Sequence, residues 1–245
     1  MTATRFFDAV RSGDVETVEE LLRDDPSLAS GTNEGGVSAL LWAFYNGHPS
    51  IAERLVASGV ELNVFEAAAA GDLARTRELL ARDPSLVDAH SPDGFSALGL
   101  AAFFGRPAVL TLLLNEGADP NAASRNAMHV TPLHSATAHR EPETSLRMAE
   151  TLLRSGAAPN VQQHGGWTPL HQAAAHGRLP MVELLLAHGA DLTCASVDGK
   201  TPADMARAAG HGEVARRLSE MGGESRQQKA ESSQRLLGLR PSTPR

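Results

Sequence analysis

The segment FDAVRSGDVETVEELLRDDPSL, beginning at Phe7, returns 58 residues later as FEAAAAGDLARTRELLARDPSL, beginning at Phe65. The offset holds without a gap to Asn63 and Asn121, pairing Gly13 with Gly71, Pro26 with Pro84, Ser38 with Ser96 and Gly59 with Gly117. Self-similarity at a fixed offset means that one supersecondary unit is stacked on copies of itself. The second half repeats at a shorter period. TPLH begins at Thr131 and Thr168 and TPAD at Thr201, steps of 37 and 33 residues, and Ser96 to Thr131 is a step of 35. The four extra residues of the longest step fall near Glu141–Thr144, and two more fall in the segment 122–130.

Each unit reads as two short helices. Ser38, Ser96, Thr131, Thr168 and Thr201 are natural N-caps, since a hydroxyl accepts from an orphan backbone N–H. Pro132, Pro169 and Pro202 follow at the first helical position, where a missing N–H costs nothing. Gly47, Gly105, Gly177 and Gly210 break the first helix. The second helix is amphipathic and Leu-rich, and Gly59, Gly117, Gly156, Gly189 and Gly222 are expected to close it. In the first and third units Asp25–Pro26 and Asp83–Pro84 take over that stop.

These residues carry a resemblance. TPLHQAAAHGRLPMVELLLAHGADLTCASVDGKTP, residues 168–202, resembles the ankyrin repeat consensus almost letter for letter, and SALGLAAFFGRPAVLTLLLNEGADPN, residues 96–121, is a second close match. The resemblance implies an all-α ankyrin-repeat solenoid with short β-hairpin or turn fingers. About seven helix-turn-helix units are expected, at 2–33, 34–63, 64–91, 92–123, 124–162, 163–195 and 196–223. The sequence also departs from the pattern. Asn63 runs directly into Val64–Phe65, so the finger between the second and third units is missing, which should notch the row of fingers. His129 and Arg140 stand where the family has Gly, making the fifth unit the least regular.

Composition narrows function by exclusion. Aromatics are only 4% of the 245 residues, and Cys194 is the single cysteine, so neither a disulfide framework nor a multi-thiolate zinc site is available. A reducing, cytoplasmic setting is expected. The longest apolar runs fall short of a membrane span, and from MTATRFFDAVRSGD no signal peptide is expected. The formal charge is −7, but residues 224–245 carry five basic and two acidic residues, leaving −10 on the rest. Such a body lacks the basic face that nucleic acid requires. The tail, rich in Gln, Ser, Arg and Pro, is expected to be mostly disordered.

Candidate chemistry is sparse. By resemblance, His134 and His171 of the two TPLH motifs hold the turn rather than a metal. His139 and His176 occupy matching places in successive units, within reach of opportunistic Zn²⁺ or Ni²⁺. No HExxH, GxSxG or Walker-type glycine pattern is present, and Cys194 reads as a tolerated small residue. The expectation is therefore a non-catalytic protein with no cofactor and no metal, a monomer that binds another protein. The alternatives are a regulatory subunit or inhibitor that occludes a partner enzyme, or a metal-binding or enzymatic protein. Phe95, Phe104, His139, Trp167 and His176 are the partner-binding candidates, because the resemblance puts them on the finger or concave side. The competing reading is that Phe103 or Phe104 packs inside its own unit.

Overall fold

The computed structural model describes residues 2–222, and the basic tail at 224–245 lies outside them. Contacts divide the chain into two compact units, with the boundary in the sequence between Ala157 and Ala158. The first contains α1 (Thr2–Ser12), α2 (Val15–Asp24), α3 (Ala39–Tyr45), α4 (Pro49–Ala57) and α5 (Val64–Ala70). It continues with α6 (Leu73–Arg82), α7 (Ala97–Phe103), α8 (Pro107–Asn115), α9 (Pro132–Ala138) and α10 (Pro142–Arg154). The second contains α11 (Pro169–Ala175), α12 (Leu179–Ala187), α13 (Pro202–Ala208) and a helical stretch at 212–222.

Within the first unit each odd-numbered helix packs on the even-numbered one that follows, and α1, α3, α5, α7 and α9 stack in order. In the second, α11 packs on both α12 and α13. Seven-residue helices are marginal alone, so their order comes from burial. Leu40, Leu98, Leu133 and Leu170 are each at most 1% exposed, and burying such a side chain contributes about 1.5–3 kcal/mol. The first helices approach closely through small residues: Ala67, Ala68 and Ala69 of α5 and Ala101 and Ala102 of α7 are fully buried.

The expected caps form. Ser38 and Ser96 accept from the N–H of Leu41 and Gly99. Thr168 and His171 make a reciprocal box, the Thr168 N–H donating to His171 Nδ1 at 3.2 Å. His171 Nε2 lies 2.9 Å from the Lys200 carbonyl and therefore carries the ring proton. In TPAD the carboxylate of Asp204 takes the place of the ring, and hydrogen bonds from Thr201 hold its carboxyl down to about 2. Gly222 departs from expectation, since it continues a helical stretch and does not cap one.

The fingers are tight turns carrying isolated bridges at Thr32–Ser38, His90–Ser96 and Gln163–Trp167. The finger between the second and third units is indeed absent, because Asn63 directly caps α5 with Glu66 as its capping-box partner. The anticipated notch, however, is filled. A Cβ on Gly36 would lie 3.0 Å from that of Pro92, so the fingers on either side of the gap abut. The four extra residues also behave differently from expectation. They lengthen a helix instead of the connection, α10 having 13 residues where α8 has 9. Proline at its first turn starts that helix early, and Ser145 Oγ donates to the Ala136 carbonyl at 2.7 Å, tying it to α9. His129 adopts a positive φ of 49°, as its glycine-like place implied.

Candidate protein-binding surface

Leu41 of α3, Ala69 of α5 and Leu100 of α7 form a buried cluster whose outer layer is aromatic. Alanine at 67–70 is the local reason: α5 presents nothing larger at its C-terminal end, so side chains from α3 reach those of α7 across it. The Phe104 ring lies 5.5 Å from Phe44, 5.4 Å from Tyr45 and 5.0 Å from Phe103. Tyr45 also meets Phe95 at 6.5 Å. Such tilted and edge-on pairs contribute about 0.5–1.5 kcal/mol beyond burial.

The Tyr45 hydroxyl donates to Asp93 Oδ2 at 2.7 Å, tying α3 to the finger that precedes α7. Burial, together with the carboxylate, pushes the Tyr45 phenol far above its ordinary value, so it stays protonated and donates throughout the physiological range. Tyr45→Phe should therefore cost about 1.5–3 kcal/mol in chemical denaturation, the range for a bond to a charged group. A variant as stable as the parent would show that the finger needs no such tether.

A groove of about 430 Å³ opens on this cluster. Phe44, Tyr45, Phe103 and Phe104 line it from α3 and α7, and Ser135, His139, Arg140 and Glu141 line it from α9 and the turn into α10. Phe103 is 44% exposed, whereas Phe104 is half-buried, packed against Phe44 and Tyr45 of another repeat as well as against its neighbour Phe103. His139 caps α9 with its ring against Gly105, and its Nδ1 accepts the Glu141 N–H at 3.3 Å. A further groove of about 360 Å³ lies beside Phe7, Arg11, Asn33 and Trp42.

The structure thus places Phe95 and Phe104 on Tyr45, and Phe104 and His139 in one groove. Trp167 and His176 belong to the second compact unit. There Trp167 is half-buried, 6.3 Å from the His171 ring, and a Cβ on Gly165 would lie 3.3 Å from it, while His176 is exposed at the end of α11. The sequence reasoning passed over Phe44, Ser135 and Glu141. Phe44 alone had a visible signal, being aromatic where its duplicate, Ala102, is small.

The histidines and the cysteine are held as follows. His134 and His171 are buried and committed to their capping boxes. Burial, and then Asp191, push the Cys194 thiol up, away from thiolate character. Among the described residues, no three His, Cys, Asp or Glu side chains converge as a metal site, and no helix is long and apolar enough to cross a membrane.

Known proteins share this pattern. The chain is 29% identical over 82% of its length to a probable E3 ubiquitin-protein ligase, XBOS32, of Oryza sativa, covering 41% of that protein. It is 34% identical over 49% of its length to the tyrosine-protein kinase HTK16 of Hydra vulgaris, covering 15% of it. It is 34% identical over 47% of its length to the mouse B-cell lymphoma 3 protein homolog, covering 25% of that protein. The chain therefore spans less than half the length of each of these relatives. The family model for ankyrin repeats matches residues 64–163 and 142–229, more than half of the sequence. With its stacked helix pairs and Thr-Pro caps, the chain belongs to the ankyrin repeat family.

Proposed function

We propose that the chain is a protein-binding module that makes contacts to its partner through Phe95, Phe104, His139, Trp167 and His176. Ankyrin repeats are protein–protein interaction modules, and repeat folds leave the partner to be chosen by side chains that do not serve the stack. The observation that carries the reading is the aromatic groove on α3 and α7. Phe103 stays 44% exposed there beside three other rings, although a monomer gains nothing from displaying it. Rigid aromatic side chains in such places are typical binding anchors. Trp167 supplies a comparable half-exposed ring in the second unit.

The test is affinity capture from the native cell by the whole chain, compared with Phe104→Ala and Trp167→Ala. A partner recovered in stoichiometric amount should bind the Trp167 variant weaker by about 2 kcal/mol or more, with the melting temperature nearly unchanged. Undiminished binding by both folded variants would overturn this surface. Unfolding of Trp167→Ala would reassign that ring to the core.

A further inference from the structure

Ser135 is 2% exposed, lines the aromatic groove, and its Oγ is a buried side-chain oxygen without a hydrogen-bond partner. A buried hydroxyl left unpaired costs free energy, and rotation of the Ser135 side chain toward the groove that it lines lets a ligand atom supply the missing bond. The remaining lining limits what that ligand is. Phe44, Tyr45, Phe103 and Phe104 line the groove, and an aromatic ring carries negative charge density on its face, which attracts a cation placed over it. The cluster already holds one guanidinium of its own, since Arg106 Cζ lies 5.9 Å from the centre of the Phe44 ring. Glu141 stands exposed on the groove's α9–α10 side and, among the described residues, pairs with no cation. The protein outside the tail carries a formal charge of −10, which concentrates basic segments at its surface.

We infer that the groove between α3, α7 and α9 takes an arginine side chain of a basic partner segment. The guanidinium stacks on Tyr45 and Phe104, donates to Ser135 Oγ and pairs with Glu141. A guanidinium suits this lining better than an ammonium because it is planar, less strongly hydrated and carries donors in a fixed fork. Arg140, on the same turn as Glu141, opposes a cation and would favour a carboxylate. Its effect therefore separates the two chemistries. The inference rests on the partner-binding reading for its biological setting but is tested without the partner.

The experiment is an NMR titration of the whole chain, following backbone amides, with N-acetyl-arginine amide. The lysine, phenylalanine and aspartate amides serve as comparison probes. The arginine probe should shift the amides of Phe103–Gly105 and Ser135–Glu141 saturably and more tightly than any other. Glu141→Gln should weaken it about 3- to 5-fold, the upper range for an exposed ion pair, and Ser135→Ala about 2- to 10-fold. Arg140→Gln should strengthen it. Tighter binding of the aspartate or phenylalanine probe, weakening by Arg140→Gln, or no saturable response would overturn the guanidinium site. None of these results touches partner capture, which stands or falls with Phe104→Ala and Trp167→Ala. Conversely, a saturable arginine response alongside capture weakened by Phe104→Ala but indifferent to Trp167→Ala would narrow the partner surface to this groove.

Discussion

Replacing Leu185 with alanine should destabilise the protein by about 2–5 kcal/mol, while His188→Ala, three residues on, should cost less than about 0.5 kcal/mol. Leu185 is wholly buried in α12, beside Met181 and Val182, whereas His188 is exposed at the end of that helix. The first substitution removes three heavy atoms from the face that meets α11 and leaves a cavity that short, capped helices cannot collapse around. The second leaves the backbone bond from the His188 N–H to the Leu184 carbonyl in place. Because a repeat protein's stability is approximately a sum of unit and neighbour terms, the loss should appear first as faster hydrogen exchange in α11 and α12, then as a lower urea midpoint. Equal losses for the two variants would show that the buried face of α12 has been misidentified.

Much of this architecture is legible in the sequence because its determinants are local. An N-cap hydroxyl, a proline at the next position and a histidine three residues after the cap specify one turn within TPLH, and His171 adds only a bond to the neighbouring turn. The missing finger was legible for the same reason: Asn63 has nowhere to go but into the cap of α5. Consequences between segments were not. Tyr45 and Asp93 lie 48 residues apart in different repeats, and no periodicity announces that a phenol closes the gap where a finger is lacking. The extra residues before α10 were equally opaque, since Pro-Glu-Thr-Ser suits a connection or a helical first turn, and packing of Ser145 on α9 decides it. Ser135 shows the limit for the candidate site. A serine within a helical TPLHSA pattern carries no sign that its hydroxyl finds no partner among its neighbours.

Gly94→Ala should cost about 2–5 kcal/mol, although it adds a single carbon at the tip of a finger. Gly94 has a φ of +89°, where a side chain costs about 1–2 kcal/mol. The new Cβ would also lie 2.9 Å from the Asn126 nitrogen and 3.2 Å from that of Arg125. Those are backbone atoms, which no rotamer change can move aside, and relieving such overpacking adds about 1–3 kcal/mol. Any retreat stretches two bonds that dock the fingers: Arg125 N–H to the Gly94 carbonyl at 2.8 Å and Asn126 Nδ2 to the Asp93 carbonyl at 2.9 Å. Asp93 in turn accepts from Tyr45, so the disturbance should reach the aromatic groove and shift the amides of Tyr45 and Phe104. Gly59→Ala is the matching control, with a φ of +84° but nothing within 4 Å of the added carbon. It should cost the backbone part alone, about 1–2 kcal/mol, and leave the groove amides in place. If urea denaturation finds the two variants equally stable, the fingers yield freely at Gly94, and the tether through Asp93 does not hold the groove's shape.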